Sequence, residues 1–298
     1  MIGNRFAWTE RPFGDDPGRI LKTATPVIVL GISAGVAIGI VGSVNTVFLL
    51  AVILAAGFVV WGLADPGRGF YIAVILLPFV ELVKRFLFID QSVSQPQYLA
   101  VKAIPDAVVL VALLSYAHRD LIRRRLPLAP TAIDKMVLCF LIWNLAEVAN
   151  PSSKPLIGLA GFDYTGVPIA MYFLARSVIR GREDVEKLAR VVVVTAVIAA
   201  LYGLKQEVLG LAPFETVWLN SGLTSLDLGY IESAGLLRAF STFASHKEFG
   251  FYLAIAIGYA IVLMARHRLW TLALPILVGG LTVTWARDAW SCALGTIA

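Results

Sequence analysis

Apolar residues in this chain come in long blocks set apart by short polar punctuation, with little of the strict alternation that marks half-buried strands. Five blocks carry no charge: 23–41, 44–63, 191–204, 249–265 and 269–285. Four others are shorter or interrupted: 69–80, 106–117, 133–145, and 156–174, which contains Asp163. A last stretch, 288–298, is too short to cross a bilayer, which takes about 20 mostly apolar residues. The pattern predicts an all-α, polytopic transmembrane bundle of about nine complete spans plus the start of a tenth.

Loop charge gives this bundle a direction, because short cytoplasmic loops are enriched in Lys and Arg. Taken alternately, one set of loops holds 17 of the 25 basic residues, among them Arg5, Arg11, Arg19 and Lys22 at the N-terminus and the cluster Arg119 to Arg125. The other set holds eight: Lys84, Arg85, Lys102, Lys154, Lys205, Arg238, Lys247 and Arg287. The bias puts the N-terminus in the cytoplasm, with residues 1–22 as a cytoplasmic tail and 23–298 as the membrane domain. The first apolar block reads as a retained anchor rather than a removable signal. Gly31, Gly35 and Gly39 fall on one face of it and suit close helix packing. The longest outer segment, 205–248, is mildly acidic; it reads as a lid over a site or as a loop packed on the bundle, with Phe214, Val217, Trp218 and Leu219 suited to the headgroup level.

Composition narrows the function. Hydrophobic residues make up 58% of the chain and charged residues 15%, against roughly 45–50% and about 25% in soluble domains. An ordinary soluble enzyme and a disordered chain are disfavoured. So is a nucleic-acid partner, because the net charge of +5 is spread between apolar blocks. Cys139 and Cys292 lie in apolar stretches and read as small core residues, with no disulfide framework and no metal spacing. Asp163 is costly inside a span and reads either as a cavity-lining acid or as a boundary residue. Glu81, Lys84 and Arg85 read as a helix end with mutual charge compensation, and Lys84 or Arg85 is an accessory candidate for substrate.

Two segments carry more specific information. Residues 238–253 read RAFSTFASHKEFGFYL and lead into an apolar helix; residues 282–290 read TVTWARDAW and leave the next helix on the same side. Together they resemble the O-antigen ligase and polysaccharide polymerase family of bacterial membrane glycosyltransferases, whose members show an arginine before a Gly/Ser-Thr-Phe segment and a later Thr-x-Ser-Arg-Gly-Ala-Trp-like segment. This chain departs from that pattern at His246-Lys247, where Pro-Asn or Pro-Gly is usual, and at Ala286-Arg287-Asp288 in place of Ser-Arg-Gly. Family members also run on through a large outer loop bearing a histidine, so the resemblance implies a chain that lacks the family's usual C-terminal part.

The resemblance implies a bacterial inner-membrane enzyme that moves a glycan from undecaprenyl diphosphate to a sugar hydroxyl, on a lipid core or on another repeat unit, without metal or cofactor. Membrane lipid, the lipid-linked donor and the acceptor are the implied partners. Arg238 and Arg287 match the two family arginines and would bind the diphosphate, since a guanidinium stays charged and offers phosphate a planar fork. His246 is a candidate for activating the acceptor hydroxyl or binding phosphate, and otherwise a first-turn histidine. Lys247, Asp163 and Arg85 are accessory candidates, while Glu248 suits a helix start on electrostatic grounds alone. A lipid or sugar permease, or a non-catalytic membrane subunit, has the same composition. No internal repeat, nucleotide-binding or zinc motif favours another class.

Overall fold

The computed structural model describes residues 53–60, 65–90, 98, 101, 104–117, 131–148, 155–221, 232–233 and 236–297. The tail 1–22, the first apolar block with Gly31, Gly35 and Gly39, and the cluster around Arg119 to Arg125 lie outside them.

After a helical stretch at 53–60, the helices are α1 (Pro66–Leu76), α2 (Val80–Phe86), α3 (Ile104–Ala117), α4 (Ala132–Val148), α5 (Pro155–Val178), α6 (Arg182–Leu209), α7 (Pro213–Leu219), α8 (His246–Met264), α9 (Ala273–Thr282) and α10 (Arg287–Ile297). The one strand pairing among the described residues is a two-residue antiparallel contact of β1 (Glu232–Ser233) with β2 (Leu236–Leu237).

The expected count of nine spans and part of a tenth is not what these residues form. Two helices, α6 and α8, are long and apolar enough to cross a membrane. Length and composition mark both as candidate membrane spans. The apolar blocks overcount because a block is not a continuous helix. Block 69–80 breaks at Pro78, which cannot donate the bond its turn needs; a 3-10 turn over Leu77–Phe79 intervenes before α2 starts. Block 269–285 is divided between a 3-10 turn, Arg268–Leu272, and the ten-residue α9. The 14 residues of α3 span about 21 Å, short of the roughly 30 Å of hydrocarbon.

The largest buried cluster among the described residues joins α6, α8, α9 and α10. It is rich in alanine: Ala189, Ala196, Ala199 and Ala200 of α6 and Ala254, Ala256 and Ala260 of α8 share it with Phe249, Leu253 and Leu277. Small side chains let helix backbones approach closely, the usual device where lipid leaves little hydrophobic force between helices. A Cβ on Gly280 would meet the Ala200 Cβ at 2.7 Å, and one on Gly250 would meet the Ala289 Cβ at 2.8 Å. Helix α6 starts after an extended Gly181 with Glu183 and Asp184 in its first turn, and ends at Gly210 in the left-handed region (φ 75°). A second cluster joins α1, α3 and α5 through Phe70, Ala73, Val108, Ala112, Val167 and Leu174. A third, with Leu87, Phe88, Tyr98, Trp218, Leu219 and Phe240, lies beneath α7.

Segment 205–221 is therefore a packed element and not a loose loop. Trp218 is 1% exposed, which corrects its reading as a headgroup-level anchor. Cys139 and Cys292 are both exposed, which corrects their reading as core residues: each lies on the outward face of its helix.

Candidate functional site

The segments RAFSTFAS and TVTWARDAW meet. The backbone N–H of Ala239 donates to the carbonyl of Val283 at 3.0 Å, and Gly250 in the second turn of α8 sits against Ala286, Ala289 and Thr284. The N-termini of α8 and α10 thus stand together, each preceded by one of the two segments. Ser245 caps α8 by accepting from the Glu248 N–H at 3.2 Å. Thr284 holds the turn into α10: its hydroxyl donates to the Leu281 carbonyl at 2.7 Å and accepts from the Ala286 N–H at 3.2 Å.

Both segments carry a left-handed backbone. Ser241 (φ 50°) and Trp285 (φ 55°) are the two non-glycine residues with positive φ among the described residues. That region is uncommon for non-glycine residues and a genuine outlier for a bulky one, and such strain persists only where the surroundings over-determine it. At Ser241 the over-determination is visible. Its N–H donates to the Gln206 side-chain oxygen at 2.7 Å and its hydroxyl to the Ala199 carbonyl at 2.5 Å.

Beneath the first segment lies a buried polar network. Arg85, fully buried at the end of α2, donates to the carbonyls of Ser241 and Phe243. Its guanidinium lies over the rings of Phe240 (4.4 Å) and Trp218 (4.7 Å) and 3.6 Å from the carboxylate of Glu215. Glu215, also fully buried, accepts from Gln206 at 2.7 Å, from the Tyr202 hydroxyl at 3.1 Å, and with its other oxygen from the Ala212 N–H at 2.8 Å. Burial pushes the Arg85 guanidinium down to about 10, with Glu215 and then Glu81 pulling the other way. Lys84 pairs with Glu81 and lies over the Tyr98 ring.

The structure gathers four of the six residues singled out from sequence. Arg238, half-buried, stands just before the Ser241 turn, and His246 is the buried first residue of α8. Arg238, Lys247 and Asp288 all act electrostatically on His246. Arg287 is the exposed first residue of α10 and forms no ion pair with any described residue, Asp288 included. Arg85 is not available to a ligand: its fork is turned inward onto backbone carbonyls. Its pairing with Glu215 also replaces the expected compensation within Glu81, Lys84 and Arg85, where only Lys84 takes Glu81. Asp163 lies inside α5 and not at a helix boundary, and its side chain is outside the described residues.

The network's other members, Tyr202, Gln206, Glu215 and Ser241, were not singled out from sequence. The usable signal was local: Gln206 and Glu207 end an apolar helix, and Glu215 follows Pro213 at the third position of a new one, where a carboxylate reaches back to a free N–H. Among the described residues no group of three or more His, Cys, Asp or Glu side chains converges. A surface recess of about 400 Å³ lined by Arg190, His267, Leu269 and Trp270 lies beyond the opposite end of α8 and takes in none of these residues. Arg238, Lys247, Arg287 and two helix N-termini make an end suited to an anion with several oxygens. Comparisons with family models, with curated proteins and with solved structures give no match.

Proposed function

We propose that this chain is a bacterial inner-membrane protein of the O-antigen ligase and polymerase type, with a cytoplasmic N-terminus and a site on the outer face. In this reading the site binds undecaprenyl diphosphate carrying a glycan, with Arg238 and Arg287 on the diphosphate. The acceptor sugar hydroxyl attacks the anomeric carbon, the bond from that carbon to the diphosphate oxygen breaks, and the lipid diphosphate leaves with the electron pair. His246 takes the hydroxyl proton, and Lys247 adds positive charge beside it. The guanidinium groups stabilise the charge that develops on the leaving diphosphate, the step at which fixed cations contribute most.

One observation carries the reading: the two arginine-bearing segments are hydrogen-bonded to each other through Ala239 and Val283, and each holds one of the two left-handed non-glycine residues among those described. Two strained turns side by side, each beside an exposed or half-buried cation, fit a binding site better than a packing seam.

The test is binding of undecaprenyl diphosphate to the purified protein in dodecyl maltoside, followed by native mass spectrometry. Arg238→Ala and Arg287→Ala are each expected to weaken binding by about tenfold or more, in line with about 1.5–3 kcal/mol for a hydrogen bond to a charged group. Unchanged binding in both variants overturns the reading.

A further inference from the structure

Arg85 is a cation with no exposed surface, and its contacts reach into the protein: two backbone carbonyls, two aromatic faces and one carboxylate. The two carbonyls belong to Ser241 and Phe243, on either side of Thr242, whose hydroxyl is buried and has no hydrogen-bond partner among the described residues. A planar fork bonded to carbonyls two residues apart holds the two peptide planes that bear them, and the first of these lies directly after left-handed Ser241. Gln206 and the Ala199 carbonyl hold the same residue from the α6 side. Gln206 is in turn oriented by Glu215, which also faces Arg85. Arg238 leaves the chain three residues before Ser241.

We infer that Arg85, braced by Glu215, is a positioning residue that acts through the Ser241 and Phe243 carbonyls to shape the turn presenting Arg238 to its anion. This rests on the reading of that end as a diphosphate site. The role needs a fork, not only a charge. A lysine ammonium is a compact point charge that cannot hold two separated carbonyls in fixed planes.

Two measurements on the purified protein in dodecyl maltoside decide it. In hydrogen–deuterium exchange, Arg85→Lys, which keeps a positive charge beside Glu215, is expected to speed exchange across 239–245 while the middle of α6 and the middle of α8 stay as protected as before. An unchanged turn overturns the inference. Loss of protection across α6 and α8 as large as in the turn overturns it as well, because Arg85 would then hold the fold and not the turn. In the binding arm, Arg85→Lys is expected to weaken undecaprenyl diphosphate binding about tenfold, since a small misplacement of a binding group is costly. Combined with Arg238→Ala it adds no further loss, because both changes act on one contact. Additive losses overturn the inference. If the unaltered protein does not bind the lipid at all, the proposed function fails, and the exchange result alone then decides the role of Arg85.

Discussion

Helix α4 and the α6/α8 pair bury opposite things. In α6 and α8 the buried residues are mostly small and apolar, and a polar network is sealed at one end of the group by Arg85 and Glu215. In α4 the buried residue is a carboxylate, Asp134, held by Arg176, by the Tyr172 hydroxyl at 2.9 Å and by the Thr131 hydroxyl at 2.9 Å. The apolar body of α4 points outward: Ile133, Met136, Leu138, Phe140, Ile142, Trp143 and Leu145 are all exposed, Met136 by 72%. The two candidate spans share this habit on one face, through Val194, Ile198 and Leu201 of α6 and Ile255 and Val262 of α8. A helix tethered by its charged residue and bare along its apolar ones is inverted relative to a water-soluble fold. The difference teaches that two kinds of cohesion coexist here: close packing with buried polar bonds in the α6/α8 group, and polar tethering with an apolar coat around α4.

The sharpest way to break that contrast is to remove one buried partner. Glu215→Ala leaves Arg85 uncompensated and frees Gln206 and Tyr202, and is expected to cost about 3–5 kcal/mol, read as a lower unfolding midpoint in detergent. A loss below about 1 kcal/mol would mean that the network is peripheral to the fold. Next comes Gly250→Leu. A side chain there has no room against Ala289 and Ala286, so about 1–3 kcal/mol should be lost as α8 and α10 part, visible as a drop in melting temperature.

The α4 side is probed by pH. Burial alone would raise the Asp134 carboxyl, but hydrogen bonds from Thr131, Tyr172 and Arg176 outweigh it and hold the group at about 2, below its ordinary 3.8. The docking of α4 that Asp134 supplies should therefore be fully present above about pH 4 and fade as pH falls toward 2. Exchange of the α4 amides measures this, and Asp134→Asn should flatten the profile; an equally steep profile in that variant assigns the effect elsewhere. The smallest effect is expected at Leu138→Ala, within about 0.5 kcal/mol, because an exposed side chain leaves no cavity when shortened. On the same coat, a water-soluble maleimide should label Cys139 poorly in proteoliposomes and readily after denaturation. Ready labelling in the bilayer would show water, not lipid, against α4.

Much of the helical content could be read directly, since apolar blocks at 106–117, 133–145 and 191–204 fall within α3, α4 and α6. What hydropathy cannot see is whether a block stays one helix. Pro78 and the turn before Ala273 break theirs, and the span count changes accordingly. The grouping of Arg238, His246, Lys247 and Arg287 followed from two short segments, each beside a helix start. The role of Arg85 was illegible for a different reason: beside Glu81 and Lys84 it has the look of a solvated helix end, and nothing local says that its partners are Glu215 and two distant carbonyls. Trp218 misled similarly, because an amphipathic ring suits a headgroup region and a buried cation–π contact equally well.

The distance along the chain between Arg85 and Ser241 has a consequence for biogenesis. The guanidinium is synthesised 156 residues before the carbonyl it will hold, and 130 residues before Glu215. Through that interval α2 carries a cation whose final partners do not yet exist, so the turn bearing Arg238 closes only after α6, α7 and the segment beyond them have arrived. The end of the molecule assigned to binding is thus among the last parts to take shape, and a chain halted before residue 238 would have its clamp and nothing to close it on.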